Sequence, residues 1–267
     1  MAPTSHESDA PWQVSRSLFP AETEQERAFA WRRALRSSCT GRAELIADTP
    51  PAESAAAPSD RPVQVANRIL QLIAGARRDI TIMTARLIPS PTVTDALKTA
   101  VERGVTVTIL TNSVRSNNHL AGHSAYREHI RALMSSGVSL HELRADAPSR
   151  KRYITAPVED KRLALHAKYL IIDTDTVMIG SANIDPRSLR LNTEVGLIVR
   201  DRRVNRAIRD LTAPDLGTSN AWRLELTADN MLIWVGDDVV LNAEPAASFM
   251  QRIEDWFFAL LPRDGEL

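Results

Sequence analysis

Cysteine is almost absent from this chain, since Cys39 is the only one among 267 residues. A single thiol excludes an intrachain disulfide and any metal site that needs several cysteines, and it suits a reducing compartment. The sequence begins MAPTSHESDAPWQ, without a basic start followed by an apolar run, so no secretory signal is recognised. We therefore expect a cytoplasmic protein.

An excess of charge of either sign is also missing, because 33 Lys and Arg balance 33 Asp and Glu. Zero net charge provides no broad positive field for nucleic acid, which counts weakly against a DNA- or RNA-binding protein. No apolar run approaches the length that spans a bilayer, so we expect any membrane contact to be peripheral. The apolar fraction of 43% is enough for a sizeable core.

The composition changes near residue 61. Residues 50–60 are rich in Pro, Ala and Ser and lack large apolar side chains, which is typical of a linker. We therefore predict a tail and linker over residues 1–61, poorly ordered in part, followed by one domain over residues 62–267.

Within that domain, apolar residues follow helical and strand spacing in turn. The predicted helices are 63–76, 92–103, 124–134, 204–211 and 249–261, and the predicted strands are 80–83, 105–110, 138–143, 169–172, 176–179, 193–199, 232–235 and 239–241. Gly104 and Gly137 follow two of the helices, where a glycine in a left-handed conformation commonly ends a helix. This alternation predicts an α/β fold with a mixed β-sheet flanked by helices on both faces.

The segment HAKYLIIDTDTVMIGSAN, residues 166–183, carries the clearest chemical pattern. Alternate side chains of a strand share a face, so His166 and Lys168 point the same way. Imidazole can act as a nucleophile or an acid near neutral pH, and an ammonium group beside it can bind the anion that reacts there. Ser181 and Asn183 repeat this spacing and supply hydroxyl and amide donors for phosphate oxygens. The pattern predicts a phosphoryl-transfer site.

This segment resembles the HKD motif of the phospholipase D superfamily. Residues 184–199, IDPRSLRLNTEVGLIV, resemble the form of the motif found in bacterial cardiolipin synthases. The resemblance runs from about residue 45 to the end of the sequence. It implies a phospholipase D-like fold made of one HKD half, without a metal and without a cofactor.

The resemblance also gives each motif residue a role. His166, Lys168 and Asp173 are the catalytic set, in which His166 would form a covalent phosphohistidine. Lys168 and Asn183 would bind the substrate phosphate, and Ser181 would help to hold it. In such proteins Asp173 is more often a structural hydrogen-bonding residue than a catalytic one.

The motif occurs once here, whereas the proteins it resembles carry two copies. None of the other histidines is followed two residues later by lysine. We therefore expect the second histidine to come from a homodimer partner or from a partner chain with a second HKD motif. Glu194 matches a carboxylate that supports an active-site imidazole, an arrangement expected for an activated histidine.

The expected function is that of a phospholipase D-type phosphodiesterase or phosphatidyltransferase, similar to cardiolipin synthase. Its substrate would be an anionic phospholipid, met by peripheral contact with the inner membrane. Two alternatives stay open. Residues 45–50 resemble the segment that joins the halves of two-motif relatives, so the chain could be a non-catalytic or partner-dependent C-terminal half. A homodimeric nuclease would use the same site, although nucleic acid is the less favoured substrate.

Two smaller features each have two interpretations. His119 and His123 have a spacing that can bind metal, or they belong to a lid or a polar loop. The basic residues 150–152 and 161–162 either attract an anionic headgroup or nucleic-acid backbone or form a solvated loop.

Two further segments border the motif. Arg187 and Ser188 either contact substrate or belong to a helix that begins at Pro186. Residues 84–89, TARLIP, occupy the place where the synthases commonly have an aromatic-rich loop near the substrate. We therefore expect recognition of the headgroup or acyl chain to differ in this chain.

Overall fold

The computed structural model describes residues 41–50, 63–117, 120–154, 163–237 and 239–245, together with Gln25, Ala28, Phe29 and Arg32. The chain divides into two compact units, Met1–Cys39 and Thr40–Leu267. Every element named below belongs to the second unit. The predicted helix 249–261, most of the predicted tail, His119 and residues 161–162 lie outside the described residues.

Helices and strands alternate through the first part of this unit, as predicted. The helices are α1 (Gln64–Gly75), α2 (Pro91–Glu102), α3 (Leu120–Ser135), α4 (Pro186–Arg190) and α5 (Arg202–Leu216), and a 3-10 helix spans Pro148–Arg152. The strands are β1 (Arg42–Ala47), β2 (Asp79–Met83), β3 (Thr106–Asn112), β4 (Ser139–Leu143), β5 (Tyr169–Ile172), β6 (Thr176–Gly180), β7 (Val195–Arg200), β8 (Ala221–Leu226), β9 (Leu232–Val235) and β10 (Val240–Leu241).

These strands form one sheet of ten strands, in the order β1-β7-β6-β5-β2-β3-β4-β8-β9-β10. Strands β2, β3 and β4 are parallel neighbours, and α2 and α3 connect them. The remaining neighbours are antiparallel. Gly104 and Gly137 follow α2 and α3 with φ of 86° and 87°, which confirms their predicted role at helix ends.

Alternate residues of the central strands bury opposite faces of the sheet. Ile82 and Ile109 join the larger core cluster with side chains from α1, α2 and α3. Met83 and Leu110 join a smaller cluster on the other face, against which Leu216 of α5 packs. Each fully buried side chain of this size stabilises the fold by roughly 1.5–3 kcal/mol. The predicted α/β fold, with a mixed sheet and helices on both faces, is confirmed.

Strand β1 corrects the boundary predicted at residue 61. Residues 42–47 were assigned to the tail, but they pair with β7 along the edge of the sheet. Glu44 forms an ion pair with Arg68 of α1 at 2.7 Å. Only Ile46 of this strand is half-buried, because main-chain hydrogen bonds hold an edge strand without deep side-chain burial. Its sequence therefore lacks the apolar alternation that reveals a strand.

Candidate active site

The motif residues meet at one end of the sheet, where β5 begins and β6 ends. The amide N–H of Gly180 donates to the carbonyl oxygen of Lys168 at 3.1 Å, which aligns the segment before β5 with the segment after β6. His166, Lys168, Ser181 and Asn183 consequently line one cavity of about 310 Å³. The other lining residues are Ala85, Arg86, Asn112, Asn117, Leu165, Ser188, Asn192 and Glu194.

Lys168 contacts His166 directly. Its Nζ lies 3.2 Å from Nδ1 of the imidazole and donates to the carbonyl oxygen of His166 at 2.9 Å. A protonated amine can only donate, so in this arrangement Nδ1 accepts and the proton of a neutral imidazole lies on Nε2. Burial lowers the pKa of Lys168, and the positive charge of Arg86 lowers it further. Glu194 and Asp185 act on that pKa in the opposite direction.

Ser181 is held by the start of β7. Its N–H donates to the carbonyl of Val195 at 2.9 Å, and its hydroxyl oxygen accepts from the Val195 N–H at 3.0 Å. A Cβ at Gly180 would lie 2.5 Å from the carbonyl oxygen of Val195, so this close approach of the two strands requires glycine. The Ser181 hydroxyl donates to the carboxylate of Glu194.

Glu194 has two carboxylate partners in the described part of the chain, and its support of an active-site imidazole stays a prediction. Its carboxylate accepts from the Ser181 hydroxyl and from the amide of Asn192, the latter at 3.2 Å. Its backbone N–H donates to the carboxylate of Asp48 at 3.0 Å. The carboxylate is therefore bonded to Ser181 and Asn192 rather than to the imidazole of His166, and it orients the serine.

Asn183 presents an amide that has no partner among the described residues. Its Oδ1 is buried without a hydrogen bond, and its half-buried side chain lines the cavity. A buried polar atom without a partner is costly. Its Nδ2 is the donor that can bind a phosphate oxygen, whereas Oδ1 needs a donor from the ligand.

Asn112, at the end of β3, fastens the segment that carries His166. Its Nδ2 donates to the carbonyl oxygens of Ala85 and Leu165, each at 2.9 Å, and its Oδ1 accepts from the N–H of Leu165 at 2.8 Å. In the sequence it stands in the polar segment TNS, residues 111–113. Its positioning role was not predicted, because the contact joins residues 53 positions apart.

Asp173 lies outside this cavity, at the opposite end of β5 from His166. Its carboxylate accepts from the backbone N–H groups of Arg77, Arg78 and Asp79 at 3.1, 2.7 and 3.3 Å. Its φ of 50° places it in the left-handed region that aspartate tolerates. The assignment of Asp173 to the catalytic set is therefore corrected, because its carboxylate joins the β5–β6 turn to the start of β2.

A second cavity adjoins the first beside residues 163–167, which precede β5. It measures about 260 Å³ and shares Leu165 and His166 with the polar cavity. Its remaining lining is largely apolar: Met83, Leu110, Leu143, Tyr153, Leu163, Ala164, Ala167, Tyr169, Leu211 and Asp215. A group bound at His166 thus has polar donors on one side and an apolar cavity on the other.

The smaller sequence candidates lie elsewhere or have structural roles. His123 is 1% exposed and bonds to Glu244, which corrects its placement in a lid or polar loop. No cluster of three or more potential metal ligands occurs in the described ranges. Ser188 lines the cavity and donates its N–H to Asp185 at 2.7 Å, so the predicted helix beginning at Pro186 is confirmed as α4. Residues 150–152 lie in the 3-10 helix.

The described helices are too short or too polar to cross a bilayer.

Residues 69–213 match the family described as cardiolipin synthase, PLD-like domain. Cardiolipin synthase C of Escherichia coli is 31% identical over 205 residues, covering 73% of this chain and 42% of that protein. The major cardiolipin synthase of Bacillus subtilis is 27% identical over 162 residues, covering 61% of this chain and 30% of that protein.

Among solved structures, phosphatidylserine synthase of Haemophilus influenzae superposes with a TM-score of 0.50 at 15% identity, covering 74% of this chain and 46% of that one. The likeness concerns the fold. The chain spans less than half the length of these curated relatives. The family match covers most of the sheet and the motif residues 166–183. The chain therefore belongs to the phospholipase D superfamily, in the family of cardiolipin synthase PLD-like domains.

Proposed function

We propose that this chain is a phospholipase D-type phosphodiesterase or phosphatidyltransferase that acts on phospholipid. The observation that carries this choice is the pair of cavities joined at Leu165 and His166, one polar and one apolar. A phospholipid has this division, because its phosphate is charged and its chains are apolar. The names of the curated relatives, cardiolipin synthases, agree with such a substrate.

The reaction would use His166 as the nucleophile. Lys168 and the Nδ2 of Asn183 would hold the phosphate oxygens and stabilise the charge that builds on them. Ser181 would join them when its hydroxyl turns from Glu194 to the phosphate. Nε2 of His166 attacks phosphorus, a P–N bond forms, and the P–O bond to the alcohol breaks. The departing oxygen takes a proton from a second histidine. Water or a lipid hydroxyl then gives its proton back to that histidine, attacks phosphorus and breaks the P–N bond.

The Lys168 contact to Nδ1 must change before this attack. Nε2 is nucleophilic only when it carries no proton, so Nδ1 must hold the proton of the neutral ring. A bound phosphate would draw the Lys168 ammonium away from His166, which frees Nδ1 to carry that proton. Substrate binding would therefore convert the imidazole to its reactive tautomer.

A second copy of the chain would supply the second histidine. In the described part of the chain, His166 is the one histidine that lines the polar cavity. A partner that brings another histidine beside it must contact the surface next to Ser181. That surface is the uncovered apolar face of β6, β7 and β1, where Ile179, Leu197 and Leu45 stand in register and are 41%, 40% and 70% exposed.

This apolar face continues to the edge of the cavity. Val195, which is 44% exposed, belongs to it and bonds to Ser181 through its backbone. Exposed apolar surface of this extent commonly marks a contact with another protein, and a twofold axis would bring two copies of one face together. We propose that the face binds a second copy, which joins the two His166 side chains in one site.

A partner-dependent half is the second candidate. The specific observation in its favour is that one motif is present and that the chain spans less than half the length of its curated relatives. In that case the apolar face would bind a different chain, and that chain would carry the second HKD motif.

The test combines a mass measurement in solution with a phosphodiesterase assay on phosphatidylglycerol, cardiolipin and double-stranded DNA. We expect a dimer that turns over lipid, with a phosphorylated His166 that can be trapped and no turnover in His166→Ala. Turnover like that of the unaltered chain in His166→Ala would sink the mechanism. Cleavage of DNA alone would assign a nuclease. A monomer that turns over lipid only after addition of a second-motif chain would favour the partner-dependent half.

A further inference from the structure

Arg86 is an additional cation of the polar cavity, outside the motif. It follows β2 in a segment whose backbone is fixed: its carbonyl oxygen accepts from the Thr84 hydroxyl at 2.7 Å, and the Ile88 N–H donates to the carbonyl of Ile184 at 2.7 Å. Ile184 is the neighbour of Asn183 in sequence. The position of Arg86 is therefore set against the strand end that carries the phosphate-binding amide.

The guanidinium of Arg86 makes no hydrogen bond or ion pair with the described residues, although the residue is half-buried. The carboxylates close to the site have other partners, since Glu194 bonds to Ser181 and Asp185 accepts from the N–H of Ser188. An arginine is always charged and carries five donors in a planar fork. Its nitrogens are not among the buried unpaired atoms of the described residues, so they are accessible to a ligand that supplies acceptors.

Lys168 and Arg86 place two positive charges in the lining of the polar cavity. The reacting phosphodiester carries only one negative charge. Lys168 contacts His166 and is placed to bind the reacting phosphate. Arg86 lies close enough for its charge to act on Lys168. At about 310 Å³ the cavity has the volume of roughly ten water molecules. A single phosphate fills only part of it.

We propose that Arg86 binds a second anionic group of the substrate, so that the site selects phosphodiesters with another phosphate or a carboxylate beside the reacting phosphate. The inference rests on the proposed function and narrows its substrate class. Arg86 contacts the part of the headgroup that does not react, and it determines specificity rather than the chemical step.

The test compares Arg86→Gln with the unaltered chain on two lipids in the same mixed micelles. Phosphatidylglycerol carries the phosphodiester alone, and phosphatidylglycerol phosphate carries an additional terminal phosphate. Loss of a charged bidentate contact should lower kcat/KM for the second lipid by roughly 10–100-fold, mainly through KM. The value for phosphatidylglycerol should fall far less. Arg86→Lys should recover part of the loss, because it restores the charge without the fork.

Arg206→Gln is the matched control, because Arg206 is 85% exposed on α5 and its loss changes the net charge equally. It should leave both lipids unaffected. An equal loss on both lipids in Arg86→Gln would overturn the proposal, since Arg86 would then serve the reacting phosphate. Unchanged kinetics on both lipids would overturn it as well.

A binding measurement separates this inference from the proposed function. In His166→Ala, which has no nucleophile, calorimetry should show that pyrophosphate binds more tightly than orthophosphate, and that Arg86→Gln removes the difference. If pyrophosphate is preferred but the unaltered chain turns over no lipid, the proposed function is rejected and the role of Arg86 is kept. Equal binding of the two anions would reject the role of Arg86 whatever the turnover.

Discussion

The N–H of Leu165 donates to the side-chain oxygen of Asn112 at 2.8 Å, immediately before His166 in the sequence. The amide of Asn112 returns a hydrogen bond to the Leu165 carbonyl at 2.9 Å and donates another to Ala85 at 2.9 Å. A single side chain thus joins β3 to the segment that carries the nucleophile and to the segment that carries Arg86. Catalytic geometry depends on such supports, because small displacements of a nucleophile are costly.

Asn112→Ala should reduce turnover more than it weakens substrate binding. The change leaves backbone groups of Leu165 and Ala85 without their partner, which should lower the free energy of unfolding by about 2–4 kcal/mol. Since His166 loses its support, kcat should fall while KM changes little. Urea unfolding and steady-state kinetics measure the two effects. Asn67→Ala, at an exposed position of α1, is the control, and an equal loss of kcat in both variants would contradict the positioning role.

Asp173→Ala should destabilise the chain while the folded protein keeps its turnover. Three backbone N–H groups lose their acceptor, and the residue at φ 50° is replaced by one that tolerates this region less well. We expect the free energy of unfolding to fall by about 2–4 kcal/mol. Asp210→Ala, at an exposed position on α5, should have little effect. Loss of all turnover in a fully folded Asp173→Asn would restore this residue to the catalytic set.

The sequence predicted those residues of the polar cavity that alternate along a strand. His166 and Lys168 alternate before β5, and Ser181 and Asn183 alternate after β6, so pairing of two adjacent strands was enough to bring them together. The same geometry explains the error at Asp173. At about 3.3 Å per residue, the length of β5 carries it to the far end of the sheet.

Residues that reach the cavity from other strands were harder to predict. Asn112 and Arg86 depend on β3 and β2 lying beside β5, and strand order is set by the whole fold rather than by local spacing. Strand β8 was also missed, although Trp222 and Leu224 are buried in it. Charged residues alternate with the apolar ones there, which is the pattern of a half-buried strand.

The buried imidazole of His141 should make stability depend on pH. Burial, followed by the positive charge of Arg223, lowers the pKa of His141 to about 4 from its ordinary 6.5. Between these values the unfolded chain binds a proton that the folded chain does not. Stability from this group is therefore complete above about pH 6.5 and is lost as the pH falls towards 4, by at most about 3 kcal/mol.

His141→Gln should remove this component. The free energy of unfolding, measured by urea at pH 7 and at pH 4.5, should fall less between the two values in the variant than in the unaltered chain. His129→Gln on α3 is the matched control and should retain the full difference. An identical pH response in His141→Gln and the unaltered chain would show that the histidine is protonated in both states or in neither.

The apolar face of β6, β7 and β1 should hold the dimer together. Leu197→Asp places a charge at the centre of a row formed with Leu45 and Ile179, so it should convert the dimer to a monomer. Because Leu197 is 40% exposed in the isolated chain, the fold should lose little stability. Light scattering gives the mass, and turnover should disappear with the dimer. Val240→Asp, 60% exposed on β10 at the opposite edge of the sheet, should leave mass and turnover unchanged.

Mixing two kinds of chain tests whether one site uses two copies of His166. When unaltered and His166→Ala chains are co-refolded in equal amounts, random pairing leaves about one quarter of the dimers with both histidines. Turnover should then be about one quarter of that of an equal total amount of unaltered chain. Chains that act independently would retain about one half. As the control, the inactive His166→Ala chain also carries Leu197→Asp. Its pairing with the unaltered chain should then be weakened, and turnover should rise towards the value for independent chains.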